Sequence, residues 1–524
     1  MRTSFWIWVW AVCLAGLVGT GLACDDERPM NIVLVLVDDL GWQDTAVPML
    51  AEPTAQNGLW RTPNVQRLAA SGVRFSNGYA SAPVCTPTRT SILTGMTPAR
   101  TGITYWTLHE GTDTSRVHEG LAPPAWRVNG LQPGEHALLP ELLRRAGYRT
   151  IHAGKAHFGA VGTPGADPER LGFEVNIAGH AAGAPASYWG EDHYSQAGKR
   201  GEDHEENPSV WDVPGLDKFH GSATYLTEAL ASEASGEIRR AAADGVPFFL
   251  SFAPYAVHTP LMANERYAAG YPGLDAQETK YATMIESVDA AVGTLVTALQ
   301  ETGQLDRTVI VFTGDNGGLS AHARGLAPDG QTRHTHNAPA RSGKGSGYEG
   351  GTRVPWIVAW PGVTDAPGRA GTLDATPVVS HDLFPTFLGI AGVPIPNAAA
   401  GGEPIDGVDL AGAIAGLVAG RGHDLGERVL GWHQPHQWGA SGPGIEPFTS
   451  VRRGRWKLLF FHADERYELY DLSADPGESV DLAATTPAAL AEMRAVLVRW
   501  VERTGAQPSV RKPTGEPVLP TAGD

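Results

Sequence analysis

The chain has 524 residues, 42% hydrophobic and 19% charged, a globular balance too long for one usual domain, so a large domain plus a smaller one is expected. A formal net charge of −17 excludes generic binding to nucleic acid or other polyanions, and any anionic substrate therefore needs a locally basic pocket. The 64 glycines and 39 prolines point to many loops rather than to disorder.

The first segment, MRTSFWIWVWAVCLAGLVGTGLAC (1–24), has an early arginine, an apolar run and small residues before an acidic stretch, the layout of a secretory signal. The expected destination is therefore outside the cytoplasm: periplasmic, on the outer surface as a lipoprotein, or secreted. GLAC is similar to a bacterial lipoprotein cleavage box with Cys24 as the lipidated residue, and a lipid anchor is the one membrane contact expected after cleavage. The alternative is an uncleaved anchor, since Phe5 to Ala23 approaches the ~20 apolar residues that span a bilayer.

Next come short apolar, largely β-branched runs: NIVLVLV (31–37), YRTIHA (148–153), PFFLSF (247–252), TVIVFT (308–313) and PWIVAW (355–360). Such runs predict strands buried on both faces. Between them lie helical patterns; in residues 278–303, Tyr281, Met284, Ile285, Val288, Val292, Leu295 and Leu299 recur at three- and four-residue steps and predict one apolar helix face. The alternation predicts an α/β sandwich about a large, mostly parallel sheet.

Polar residues collect where these strands end: Asp38 and Asp39, Lys155 and His157, His258, and Asp315 and Asn316. Open α/β sheets bind ligands at the carboxyl ends of their strands, so these positions can converge on one crevice.

Cys13 and Cys24 fall in the export segment, which leaves Cys85 as the one cysteine of a mature chain. One cysteine forms no internal disulfide, so Cys85 is inert, intermolecular, reactive or chemically converted. Pro87 and Gly95 bracket a short predicted helix, PTRTSILTG, which sets Cys85 at a helix N-terminus, where free N–H groups favour negative charge.

Beyond residue 420 the texture changes: TSVRRGRWKLLFF and RYELYDLSADPGE predict a small antiparallel sheet, and TPAALAEMRAVLVRWVERTG a closing helix. The expected division is a signal at 1–24, a catalytic domain at 25–420, a small C-terminal α+β domain at 421–506 and a loosely held tail at 507–524.

CTPTR (85–89) followed by TSILTG resembles the signature of the formylglycine-dependent (type I) sulfatases, a branch of the alkaline phosphatase superfamily; Thr88 stands where the family often has serine. NIVLVLVDDLGW, GKAHFG, VHTP, GDNGG, GKGSGYEGGTRVP and ELYDLSADPGE resemble further sulfatase segments in the family's order, over nearly the whole mature chain. The resemblance implies an alkaline-phosphatase-like α/β/α sandwich and hydrolysis of a sulfate ester. It also implies that a maturation enzyme oxidises Cys85 to formylglycine (3-oxoalanine).

Carried over residue by residue, Asp38, Asp39, Asp315 and Asn316 correspond to metal ligands, with converted Cys85 beside the metal. Carboxylate and amide oxygens suit Ca2+, or Mg2+, better than zinc. Arg89 corresponds to the residue that orients the aldehyde hydrate, and Lys155 and Lys344 to sulfate-binding lysines. His157 and His258 correspond to the proton handlers: the hydrate attacks sulfur while His258 and Lys344 assist the departing alcohol. His157 then takes a proton from the second hydroxyl so that sulfate is expelled.

The long segments 105–135, 178–220 and 321–341 are expected to wall the pocket, joined from the second domain by GWHQPHQW (431–438), with His322, His334, His336, His433 and His436 as candidates for specificity. Their aromatic, imidazole and amide groups suit sugars, so the expected substrate is a sulfated glycan or smaller sulfated carbohydrate. Two readings stay open beside it: a phosphonate monoester or phosphodiester hydrolase using the same converted cysteine, and a catalytically silent sulfated-glycan-binding protein.

Overall fold

Seven consecutive apolar or amide residues, Asn31–Val37 (β1), form the strand around which the chain is laid out. In the computed structural model, described for residues 29–523 apart from 117, 197–208, 326–333, 397–403, 419–424, 440 and 441, β1 is buried along its whole length. The expected signal with Cys24, the boundary expected at 420–421, and parts of the walls expected at 178–220 and 321–341 lie outside the described residues. So does the side chain of His322.

In chain order β1 is followed by Val73–Phe75 (β2), Arg149–Gly154 (β3), Val175–Ile177 (β4), Phe248–Ala253 (β5), Thr308–Gly314 (β6), Trp356–Ala359 (β7) and Thr372–Asp374 (β8). Together they make one eight-stranded sheet in the order β8-β2-β7-β6-β1-β5-β3-β4. All neighbours pair in parallel except β7, which runs antiparallel to both β6 and β2. The five strands expected from apolar runs are present, and β2, β4 and β8, of three residues each, are too short for a pattern to announce.

Burial on both faces is visible in β1 itself. Val33, Val35 and Val37 join one core with the helices Leu226–Asp244 and Ala276–Glu301, while Ile32, Leu34 and Leu36 join another with the helix Leu383–Ile390. The Ala276–Glu301 helix starts where Asp275 accepts hydrogen bonds from the backbone N–H groups of Gln277 and Glu278, and its seven expected apolar positions are all buried. It is long and apolar enough to cross a membrane by composition, but its apolar face is the core of this sandwich.

Val429–Gln434 (β9), Phe448–Arg453 (β10), Trp456–Phe461 (β11) and Tyr467–Asp471 (β12) form a four-stranded antiparallel sheet in sequential order. The helix Pro487–Thr504 covers one face through Met493, Val496, Leu497 and Trp500. Leu430, Trp432, Phe448, Leu459 and Phe461 on the other face pack against Tyr79, Tyr348 and Val379 of the larger body. The C-terminal stretch is held rather than loose: Val510 and Arg511 pair with Ala122 and Leu121, Ser509 Oγ hydrogen-bonds His462 Nδ1 at 2.8 Å, and Val518 enters the core beside the closing helix. A buried apolar side chain and a strand partner give the tail contacts that its polar composition did not suggest.

One buried ionic cluster ties the small sheet to the larger body. Lys457 Nζ on β11 lies 2.9 Å from Glu349 Oε1 and 2.9 Å from Glu478 Oε1, and Tyr79 donates to Glu349 at 2.7 Å. Lys457→Met should leave two buried carboxylates facing each other and destabilise the protein by about 3–5 kcal/mol. Denaturant unfolding of the variant checks this, and a midpoint equal to that of the wild type would contradict it.

Candidate active site

The four polar strand ends meet because their strands are neighbours. β6 pairs with β1 up to Val37 opposite Gly314, so the residues that follow, Asp38 and Asp39 from one and Asp315 and Asn316 from the other, emerge side by side. Asp39 N–H donates to Asp315 Oδ1 at 3.2 Å, and Asn316 Nδ2 donates to Asp39 Oδ1 at 2.7 Å. On the other flank, Val257 N–H donates to the Asp38 carbonyl at 2.8 Å, which brings the loop with His258 against the end of β1. Lys155 and His157 follow β3. Asp39 and His157 both sit in the left-handed backbone region (φ 57° and 53°), sparsely used by residues other than glycine and frequent at functional sites.

Cys85 opens a fully buried helix, Cys85–Thr94, closed at Gly95 as the sequence predicts. Thr88, where the family often has serine, uses its hydroxyl to accept from Ala82 N–H at 2.9 Å and to bond the Ala82 carbonyl at 3.2 Å. The contact fixes the turn that presents Cys85 and needs only the hydroxyl. The segment carrying Lys344 is anchored to the same turn, since Gly345 N–H donates to the Pro83 carbonyl at 2.8 Å.

Around Cys85 the charges alternate. Lys344 Nζ is 3.4 Å from Cys85 Sγ and 2.7 Å from Asp39 Oδ1; Lys155 Nζ is 2.7 Å from Asp38 Oδ2; Arg89 Nε is 2.7 Å from Asp315 Oδ2. Arg89 also donates to the Lys155 carbonyl at 2.6 Å, so it links both flanks. His258 Nε2 lies 3.6 Å from Asp39 Oδ2. The ten residues expected to carry the chemistry or hold the metal are all in this cluster or line the cavity above it.

Burial pushes the Cys85 thiol up to about 11, against the pull of Lys155 and Lys344, so at neutral pH it is protonated and a poor nucleophile as it stands. Burial also drives Asp38 well above the carboxylate range; Lys155 opposes this, and repulsion from Asp315 and Asp39 adds to it. For Asp39 burial acts in the same sense, but Lys344, His258 and Lys155 outweigh it and hold the carboxyl low. Lys344 is kept charged above the usual lysine value because Asp39 and Cys85 outweigh its burial.

Burial and Lys344 lower His258 to about 3, and burial and Lys155 hold His157 well below the ordinary imidazole value, so both imidazoles are neutral. His157 Nε2 is 2.9 Å from the Thr107 carbonyl, which assigns the ring proton to Nε2 and leaves Nδ1 as a buried lone pair without a hydrogen-bond partner. Gly183 makes room for that atom, since a Cβ there would lie 2.5 Å from Nδ1.

The donor set fits a divalent cation. Asp38 Oδ1 and Asn316 Oδ1 are buried oxygens without hydrogen-bond partners, each costing about 1–3 kcal/mol if left so. The ligand atoms of Asp38, Cys85 and Asp315 lie within 4.8 Å of one another, as do those of Asp39, Cys85 and His258. Carboxylate and amide oxygens in this majority are hard donors, the chemistry of Ca2+ or Mg2+.

Above this floor opens a cavity of about 1030 Å³. Its walls include Trp106, Thr114, Arg116, Gln196, Trp211 and Trp438, none of them singled out individually from sequence, although the first five fall in the long segments expected to wall the pocket and Trp438 ends the GWHQPHQW stretch. Of the histidines expected to give specificity, the four described ones do not line the cavity. His336 is buried near Glu278, His433 bonds Thr449 Oγ1 and the Gln507 carbonyl at 2.8 Å each, and His436 bonds Thr104 Oγ1 at 2.8 Å. His334 contacts Ser320 Oγ at 3.2 Å and does not line the cavity. A polar loop residue reads alike whether it faces a ligand or a backbone carbonyl, which is why the sequence did not separate the two.

Comparison with known proteins agrees with this geometry. A family model described as Sulfatase matches residues 30–393, and one described as N-sulphoglucosamine sulphohydrolase, C-terminal, matches residues 343–503. The chain is 29% identical to N-acetylgalactosamine-6-sulfatase of Canis lupus familiaris over 92% of its own length and 88% of that protein's. It is 30% identical to arylsulfatase A of Homo sapiens over 91% and 88%. Among solved structures it is similar to Ps i-CgsB in complex with k-i-k-neocarrahexaose, with a TM-score of 0.70 and 28% identity over 90% of this chain and 93% of that one. The sheet order, the buried cysteine among paired acids and bases, and these matches together establish that the chain belongs to the type I sulfatase family, with the alkaline-phosphatase-like fold, and is a sulfuric ester hydrolase.

Proposed function

We propose that Cys85 is converted to formylglycine and that the protein removes sulfate from a sulfated carbohydrate with the help of a divalent cation, Ca2+ foremost. The observation that carries this reading is the position of Cys85: a thiol held protonated at neutral pH, 3.4 Å from Lys344 Nζ, on the floor of a large cavity. Such a thiol is unsuited to act as a thiolate, whereas its oxidised form gains from the cations gathered around it.

Asp38, Asp39, Asp315 and Asn316, with converted residue 85, would hold the cation. When present, the cation neutralises charge on the transferring group and the aldehyde hydrate supplies the nucleophilic hydroxyl. Lys155 and Lys344 hold the sulfate oxygens from two sides. Arg89, pinned by Asp315 and the Lys155 carbonyl, orients residue 85 and has no proton to give. Lys344, kept charged, and His258 assist the departing alcohol. A bound sulfate ester brings a negative charge that offsets Lys344, the cation that lowers His258. His157 Nδ1, the unpartnered lone pair, receives the proton that lets sulfate leave.

The carbohydrate half of the reading is supported by the cavity's three tryptophans and by relatives whose names carry a sugar sulfate or a bound neocarrahexaose. The expected export, with Cys24 lipidated or the protein secreted, accords with a polymeric substrate met outside the cell and with maturation by a formylglycine-generating enzyme.

Mass spectrometry of the tryptic peptide Phe75 to Arg89, from a host that supplies the maturation enzyme, should find the aldehyde or its hydrate. Unmodified cysteine alongside a converted control sulfatase would contradict the proposal. His157→Ala should accumulate a sulfated protein under turnover, read by intact mass; its absence would remove His157 from the second step. Asn316→Ala should weaken Ca2+ binding to the purified protein by at least about tenfold, the scale on which one oriented partner counts at a metal site. Calorimetry gives the affinity directly, and an unchanged value would take Asn316 out of the ligand set.

A further inference from the structure

Trp438 and Arg116 line the cavity but have no part in the chemistry above. The Trp438 indole lies 5.7 Å from Lys344 Nζ, the same nitrogen that approaches Cys85. The ring is fixed in place. Gly345 lacks the side chain whose Cβ would overlap the indole, and Tyr105 packs against it in a T-shaped contact at 5.7 Å. A rigid, half-exposed indole one lysine away from the reacting centre suits the C–H face of a sugar ring.

Arg116 stands beside it. Its backbone pairs with Gln437, the residue before Trp438, and its charge acts on the Tyr105 hydroxyl, which donates to the Gln437 carbonyl at 3.1 Å. Arg116 is exposed and has no carboxylate partner among the described residues, whereas Arg89 is engaged with Asp315 and Arg100 with Asp406, both at 2.7 Å. In a chain of net charge −17, an arginine that meets no acid among the described residues on the wall of this cavity is positioned for an anion from outside. Its planar fork matches a carboxylate or a sulfate equally well.

We propose that Trp438 and Arg116 form a second recognition subsite that selects a saccharide bearing a further anionic group, a carboxylate or a second sulfate, next to the scissile ester. This rests on the reading of the cavity as a carbohydrate-sulfate site. The indole supplies affinity for the ring and the guanidinium discriminates by charge.

The test uses the matured full-length enzyme, an aryl sulfate as reporter substrate and three hexosamine 6-sulfates as competitors: one otherwise neutral, one linked to a uronate, one carrying a second sulfate. Inhibition constants are compared as ratios within each protein, so any change in turnover cancels. Wild type should favour a charged competitor over the neutral one by about tenfold, the worth of one partly exposed charge-assisted contact. Arg116→Gln should bring that ratio close to one and Arg116→Lys restore part of it. Trp438→Ala should weaken all three competitors together, with Trp438→Phe recovering most of the loss. Which competitor holds the advantage tells carboxylate from sulfate. Equal inhibition by all three in wild type, or an unchanged ratio in Arg116→Gln, overturns the subsite alone. Aryl sulfate turnover with no inhibition by any of the three, nor by a sulfated galactan oligosaccharide added as a fourth competitor, overturns the carbohydrate reading and the subsite with it.

Discussion

Three carboxylates, Asp38, Asp39 and Asp315, are fully buried at the ends of two adjacent strands, and the rest of the site is arranged around their charge. Burying a carboxylate costs several kcal/mol unless a partner and good hydrogen bonds compensate. The compensating cations arrive from three other places: Lys155 from the end of β3, Lys344 from the glycine-rich segment before β7, and Arg89 from the helix that opens with Cys85. Each ion pair therefore fixes a piece of chain far away in sequence. Cys85 is located by the same pairs, through Lys344 on one side and Arg89 on the other. The compensation is incomplete, since Asp38 remains well above its ordinary pKa and two oxygens lack partners, and that deficit has the sign a divalent cation removes.

The small antiparallel sheet belongs to this arrangement. Glu349 is five residues from Lys344, and its buried contacts with Lys457 and Tyr79 bind the lysine's segment to β11. Ser346 Oγ donates to the Pro443 carbonyl at 2.9 Å, and Gly347 N–H donates to the Gly444 carbonyl at 2.8 Å, so the loop after β9 is sewn to the same segment. That loop carries Trp438. The second sheet thus fixes Lys344 and supplies an aromatic wall, which makes it more than a cap on one end of the large sheet.

The two histidines show how local contacts divide similar side chains. His157 has its Nε2 engaged by a backbone carbonyl and its Nδ1 left bare, with Gly183 clearing the space beside it. His258 has Nδ1 against the Thr259 carbonyl at 2.8 Å and turns Nε2 toward Asp39. One is set to accept a proton; the other faces the acid that shares Lys344. These tautomers follow from single hydrogen bonds and could not be read from residue type.

The sequence by itself determined the sandwich, because apolar runs such as Asn31–Val37 and the seven-residue face of the long helix are patterns internal to one element. It also pointed to the candidate site, because Cys85, Arg89 and the strand-end acids stand in short motifs that resemble those of the family. Only the tertiary structure decided that β7 runs antiparallel, that the tail from Ser509 to Val518 is held, and that His433 and His436 serve the packing rather than the cavity. It alone decided that Arg116 and Trp438 stand together over the reactive floor. The physical reason is range: propensity, periodicity and capping act over a few neighbours and are written in the sequence. Whether a polar side chain meets a carbonyl, an acid or open solvent depends on segments hundreds of residues away that the fold brings alongside.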